Sequence, residues 1–251
     1  MVGKIRELLD SDRVWSAYAL ADLEPPFSVA SEWFMDGETV FLIFRGIRPP
    51  VLFCTGPVET AENLLVNIPE DIYTYTLLKP HYDLLQHQLH IDHESEMWRM
   101  VLDNATLPGT SDPGITRLNG EDLPAILELF SDHPDRPDSF TTDQLEGGIF
   151  FGYFEGDELI SVAGTHIISP EASVAAIGNV FTEPMCRDAG LATQVTGAVV
   201  AELLTQQFKT IVLNVAVDNE PAITCYRKLG FREYCRYLEG IGKFIKKKNN
   251  H

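Results

Sequence analysis

The apolar residues of this chain come in short runs, and their spacing changes from one stretch to the next. Residues 149–154 and 159–168 are rich in β-branched and aromatic side chains and meet at Glu155-Gly156-Asp157, which predicts a hairpin; residues 172–181 predict a third strand. Residues 191–208 carry apolar positions at helical spacing, and 211–217 (Ile-Val-Leu-Asn-Val-Ala-Val) are apolar enough for a strand covered on both faces. A short helix over 222–229 stops at Gly230, the residue type favoured just past a helix end, and 231–238 read as a last strand. With a helix over 123–130, started by Asp122-Leu123-Pro124, this half has the order α-β-β-β-α-β-α-β.

The first half repeats that order loosely. Helices are predicted over 5–9 and 14–20, and strands over 31–35, 40–45 and 51–54, with Asp36-Gly37 as a hairpin turn. A helix over 59–67, a strand over 72–78, a helix over 82–89 and a strand over 96–101 complete it. Residues 107–114 (Leu-Pro-Gly-Thr-Ser-Asp-Pro-Gly) concentrate chain breakers between the two patterns, so the chain divides into 1–106, a linker at 107–114, and 115–251.

Composition narrows the class. At 251 residues there is material for one large domain or two small ones, and a mean hydropathy of -0.04 is that of an ordinary globular protein. No apolar run approaches the ~20 residues that cross a bilayer. The start, Met-Val-Gly-Lys-Ile-Arg-Glu, lacks the apolar core of a secretory leader. The cysteines (Cys54, Cys186, Cys225, Cys235) include no Cys-x-x-Cys pair, so a reducing cytoplasm is expected. A net charge of -18 argues against nucleic acid as partner, and the one basic run, Lys246-Lys247-Lys248, lies in a polar tail. An acidic surface steers a cationic partner or simply keeps the protein in solution. His87, His90 and His93 are spaced by three as on one helix face, but no fourth ligand is near and no metal is expected.

The segment 182–192 (Thr-Glu-Pro-Met-Cys-Arg-Asp-Ala-Gly-Leu-Ala) joins a predicted strand to the start of a long predicted helix. The first amides of a helix have no intrahelical acceptor and carry the positive end of its dipole, so such a junction receives anions. Gly190 lets backbone approach a phosphate closely, and Arg187 adds a charged donor. Farther on, Asn219 or Glu220 caps the next helix and Pro221 suits its first turn.

These features together resemble the GCN5-related N-acetyltransferases. The family's acyl-CoA signature, Arg/Gln-x-x-Gly-x-Gly/Ala, is matched by Arg187-Asp188-Ala189-Gly190-Leu191-Ala192; its second signature is matched by Asn219, Ala222, Tyr226 and Gly230-Phe231. The resemblance covers about half the chain, from Ile115 to Leu238. It implies an α/β (α+β) acyl-CoA N-acyltransferase fold, a mixed and mostly antiparallel sheet flanked by helices, present in tandem. The first half would be a degenerate relative, because its matching position, Thr55-Gly56-Pro57-Val58-Glu59, lacks the signature and Pro57 removes an amide.

The resemblance also implies roles. Acetyl-CoA is the expected co-substrate, held by Val180, Phe181 and Thr182 of a splayed strand, by Arg187 to Ala192 of the loop, and by Asn219, Ala222 and Tyr226. Asp188 places a negative charge where the family often has glycine, which weakens pyrophosphate binding. Tyr226 is the expected acid for the leaving thiolate, or else an amphipathic side chain packing the last helix. His166, with the ordinary imidazole pKa near 6.5, is the candidate base or a structural histidine; Asn179 holds a water in the same relay, and Glu171 and Glu183 are alternatives. The acceptor is a small-molecule or peptide amine, gripped by Asp132, His133 and Asp135 unless that loop is merely solvated. The protein is read as a monomer or homodimer. The alternative function is a non-catalytic acyl-CoA-binding or protein-interaction module.

Overall fold

A computed structural model of the protein describes residues 1–107, 112–131, 133–137 and 140–246. Half of the expected linker (residues 108–111), and Asp132 of the acceptor loop, lie outside the described residues. In chain order the elements are α1 (Val2–Ser11), α2 (Ala17–Ala21), β1 (Ser31–Asp36), β2 (Thr39–Phe44), β3 (Val51–Thr55), α3 (Val58–Leu64), β4 (Asp71–Leu77), α4 (Lys79–Leu85) and β5 (Leu89–Leu102). They continue with β6 (Ile115–Arg117), α5 (Leu123–Phe130), α6 (Thr142–Gly147), β7 (Phe151–Glu155), β8 (Glu158–Ser169), β9 (Val174–Thr182), α7 (Leu191–Thr205), β10 (Thr210–Ala216), α8 (Glu220–Lys228) and β11 (Phe231–Phe244).

These elements form two compact units, Met1–Arg99 with the segment from Tyr234 onward, and Met100–Glu233. The sequence reading keeps all of 115–251 together; the structure instead gives the end of the chain to the first unit. The cause is strand pairing. β11 runs antiparallel to β4, from Leu238 opposite Leu77 to Phe244 opposite Asp71, and Phe244 is fully buried in the first unit's core. An apolar strand pattern shows that a strand is covered, not which neighbour covers it.

In the first unit the strands lie in the order β1-β2-β3-β4-β11-β5, with β3 and β4 parallel. Its core is built on Phe41, Ile43, Leu52, Tyr73, Tyr75 and Leu77, because β2 and β3 are apolar at nearly every position. Trp15 is buried and its indole N–H donates to the Cys54 carbonyl at 3.2 Å, so the first tryptophan is core. In the second unit the order is β10-β9-β8-β7-β6, with β9 and β10 parallel and the other neighbours antiparallel. Leu118, Ile126, Phe130, Leu145, Phe150, Val162 and Phe181 form its core. Each unit thus contains two antiparallel pairings followed by a parallel one with a helix between, β1-β2-β3-α3-β4 and β7-β8-β9-α7-β10.

α7 packs on β8 and β9 through Leu191, Val195, Val199 and Leu203, four buried side chains at i, i+4 spacing. At about 1.5–3 kcal/mol for each fully buried aliphatic side chain, this stripe holds the helix against the sheet. Other departures from the sequence reading are local. α4 ends at Leu85 and β5 already starts at Leu89, so His90 and His93 stand on a strand and share no helix face with His87. β6 and α6, of three and six residues, are additional elements too short to show a period in the sequence.

Candidate active site

The site begins where two parallel strands part. β9 and β10 are matched from Val174–Thr210 to Ile177–Leu213, and beyond that pair they continue unmatched to Thr182 and Ala216. On its other side β9 pairs with β8 at Gly178, Phe181 and Thr182, opposite Gly164, Val162 and Ser161, with a break in register at Asn179 and Val180. The backbone of residues 178–182 is therefore anchored at both ends on one edge and open on the edge that faced β10. An open, buried strand edge must be satisfied by something, and an extended ligand with amide groups can do so. Val180 is half-buried, and Phe181 and Thr182 are buried, as expected for residues lining such a cleft.

β9 leads into the anion loop. Asp188 (φ 64) and Gly190 (φ 81) both adopt the left-handed conformation, and an added Cβ on Gly190 would meet nothing within 4 Å. Aspartate is among the few side chains that tolerate this region, which explains how Asp188 stands where glycine is common in the resembling family. Gly190 caps α7 without a side-chain bond, and the first intrahelical bond runs from Gln194 N to Gly190 O at 3.1 Å. The amides of Leu191, Ala192 and Thr193 have no intrahelical acceptor. Residues 184–185 and 187–190 are exposed, so this helix end is open to an anion.

Arg187 is engaged elsewhere. Its Nε donates to the Thr182 carbonyl at 3.1 Å, its Nη2 meets Asp135 Oδ2 at 2.6 Å, and its guanidinium lies 5.6 Å from the Phe181 ring centre. The hydrogen bond from Arg187 holds the Asp135 carboxyl below its usual pKa. His133 Nε2 lies 3.3 Å from Glu183 Oε2, and its ring lies 5.3 Å from that of Phe181. The structure therefore brings two of the three expected acceptor residues onto the anion loop, each opposite a charged partner.

On the far side of the opening, Asn219 caps α8, its Oδ1 accepting from Ala222 N at 3.2 Å. Thr193 Oγ1 donates to Cys225 Sγ at 3.2 Å, which ties the first turn of α7 to α8. Tyr226 is 7% exposed, its ring edge faces Phe231 at 6.2 Å, and its hydroxyl has no hydrogen-bond partner among the described residues. Burial, and secondarily Cys225, push its pKa well above the ordinary phenol value. Tyr226 is thus protonated throughout the neutral range.

His166 and Asn179 meet at β9. His166 occupies a bulge in β8, the extra residue between Thr165 and Ile167, and its ring lies over Gly178. A Cβ at Gly178 would fall 2.2 Å from His166 Nε2, so only glycine admits the ring there. Asn179 has φ 52, is 3% exposed, and donates from Nδ2 to Gln144 Oε1 at 3.1 Å. Gln144 was missed in the sequence reading. Its signal was the capping box Thr141-x-x-Gln144, which both side chains complete in the structure. Glu171 lies in the turn between β8 and β9, at the end of β9 away from the opening.

The corresponding junction of the first unit differs in kind. Gly56 (φ 100) sits so close to the backbone of Glu38 that a Cβ would lie 2.2 Å from its carbonyl oxygen, and His81 Nε2 lies 2.9 Å from the Gly56 carbonyl. A cleft of about 250 Å³ beside it is lined by Leu8, Ser11, Glu38, Thr55, Gly56 and Pro57. A carboxylate, a proline and no cation make a poor pyrophosphate site.

Comparison with known proteins agrees with this geometry. Residues 115–231 match the model of the acetyltransferase (GNAT) family. The chain is 30% identical, over 159 aligned residues, to a mycothiol acetyltransferase of Paenarthrobacter aurescens; the match covers 54% of this chain and spans about half (49%) of that relative's length. Among solved structures, a GNAT-family protein of Novosphingobium aromaticivorans superposes with a TM-score of 0.63 at 20% identity, covering 90% of this chain and 96% of that one. A tandem GNAT protein from the clavulanic acid biosynthesis pathway superposes with a TM-score of 0.58 at 12% identity, covering 98% and 96%. The chain has the fold of tandem GNAT proteins, and its residues 115–231 are a domain of the acetyltransferase (GNAT) family.

Proposed function

We propose that this protein transfers an acetyl group from acetyl-CoA to the primary amine of a small molecule or peptide, by direct attack. Membership of residues 115–231 in an acetyltransferase family supports acyl transfer in general. The observation that carries the finer reading is the parting of β9 from β10 immediately before an uncapped helix end. An extended pantetheine arm fits the open strand edge at Val180, Phe181 and Thr182, and a pyrophosphate fits the amides from Ala189 to Ala192. Asn219 and Ala222 flank the arm from α8.

In this reading His166 takes a proton from the acceptor amine through a water held by the second Nδ2 hydrogen of Asn179. The uncharged nitrogen attacks the thioester carbonyl, the C–N bond forms, and the negative oxygen is met by backbone amides near Val180 and Phe181. The C–S bond breaks, the thiolate takes the Tyr226 proton, and the cationic amide nitrogen gives up its extra proton to water. His133 and Asp135 border the acceptor side. The first unit, with its closed Gly56 junction, serves as a degenerate GNAT-like domain. Free cysteines at all four positions accord with a reducing cytoplasm.

Calorimetric titration with acetyl-CoA tests the reading, beside a Gly190→Glu variant. The glutamate forces a side chain into the left-handed region, at about 1–2 kcal/mol, and sets a carboxylate at the phosphate position. Micromolar binding by the wild type, lost in the variant, is the expected result. No binding by the wild type would discard the acetyl-CoA site and leave an interaction module as the better reading.

A further inference from the structure

We propose that Gln144 is a positioning residue, fixing the Asn179 carboxamide so that Oδ1 is offered to the N–H of the incoming amine. The inference rests on the acyl-transfer reading above and adds the group that recognises the nucleophile. It starts from a chain of donors and acceptors with one consistent assignment. The backbone N–H of Thr141 can only donate, and it lies 3.1 Å from the Gln144 side chain, so the Gln144 atom facing it is the acceptor Oε1. That same Oε1 lies 3.1 Å from the Asn179 carboxamide, so the Asn179 atom facing it is the donor Nδ2. Turning the carboxamide over would set two oxygens against each other. The remaining atom, Asn179 Oδ1, is buried and has no partner among the described residues.

A buried acceptor without a donor is costly and uncommon, and this one stands at a particular place. Ile177 is the last residue of β9 matched to β10, and Asn179 follows two residues later in a left-handed conformation, beside the His166 ring over Gly178. A neutral oxygen there accepts an N–H while favouring an ammonium less than a carboxylate would, which suits a nucleophile that must be uncharged to attack. α6 makes the hold firm. Its Leu145 is in the core, and just past its end the Ile149 N–H donates to Thr165 Oγ1 at 3.1 Å.

The test measures thiol release from acetyl-CoA with glucosamine, spermidine, kanamycin and an alanine-initiated hexapeptide as amine probes. Wild type is compared with Gln144→Met, Gln144→Glu and Thr141→Ala. Methionine removes the acceptor, whereas glutamate keeps an oxygen for both donors. Thr141→Ala weakens the same cap by removing the oxygen that accepts from Gln144 N at 3.4 Å, yet leaves the Gln144–Asn179 contact in place. The expected result for Gln144→Met is a roughly three- to tenfold rise in KM for the accepted amine, with acetyl-CoA affinity unchanged. Gln144→Glu restores the wild-type KM, and Thr141→Ala never loses it. Equal losses in Gln144→Met and Thr141→Ala, or an unchanged KM in Gln144→Met, would overturn the positioning role alone. Absence of thiol release by the wild type with every probe would remove the acyl-transfer reading and this inference together.

Discussion

Replacing Tyr226 by phenylalanine removes one oxygen and little else. The ring keeps its edge contact with Phe231, and the lost hydroxyl has no hydrogen-bond partner among the described residues, so no buried group is orphaned. The stability change at neutral pH is expected to stay below about 1 kcal/mol. The effect on catalysis is larger. A positioned acid contributes about 10²–10⁴-fold, or roughly 3–5 kcal/mol of barrier. At ordinary values a phenol near 10 gives its proton to a thiolate near 8.5 at a cost of about 2 kcal/mol. Burial raises the Tyr226 pKa further, and the same dry surroundings raise the proton affinity of the thiolate, so the gap does not widen in proportion.

The assay is thiol release under saturating acetyl-CoA, with calorimetric affinity and thermal unfolding measured beside it. For Tyr226→Phe, kcat falls by about 100-fold or more, while acetyl-CoA affinity and the thermal midpoint at pH 7 are kept. A pH series supplies an internal control. A raised phenol pKa means the folded state binds that proton more tightly than the unfolded chain. The resulting stability is intact below about pH 10 and fades as the pH rises beyond it, and the phenylalanine variant lacks that part of the fade. A kcat within about threefold of wild type would refute Tyr226 as the acid.

Two further perturbations probe charges that the fold has placed. Asp135→Asn releases the Arg187 guanidinium now bound 2.6 Å away; acetyl-CoA affinity should then rise by up to about fivefold at low salt and return to the wild-type value at 1 M salt. Unchanged affinity at low salt would show that Arg187 does not reach the phosphates. Asp22 is buried, its carboxylate has no ion-pair partner among the described residues, and its pKa is pushed up from 3.8 to about 7 by burial. Its folded state keeps the proton that the unfolded chain loses, so stability is full below about pH 4 and declines as the pH rises through 7. Asp22→Asn removes that slope and stabilises the protein at pH 8 by at most about 4 kcal/mol, from some three pKa units at about 1.4 kcal/mol each. Thermal unfolding at pH 4, 6 and 8 checks it; the same shift at every pH would contradict the assignment.

The sequence by itself determined the strand, loop, helix, strand and helix from 174 to 229, and with them the anion loop. Each of those features is decided within a few residues: Gly190 for a left-handed turn, Asn219 for a cap, Gly230 for a helix end, an unbroken apolar run for a covered strand. The capping box of α6 was equally local, but six residues cannot display a helical period, so Gln144 went unread. Only the tertiary structure decided that β11 pairs with β4, that Arg187 turns to Asp135 52 residues away, and that the His166 ring lies on Gly178. It alone left Asn179 Oδ1 buried without a donor among the described residues, at the parting of β9 and β10. Local backbone preference and hydrophobic period are written in neighbouring residues, whereas the partner of a strand edge, a charge or a carboxamide is chosen by which distant groups the packed core brings within hydrogen-bonding distance.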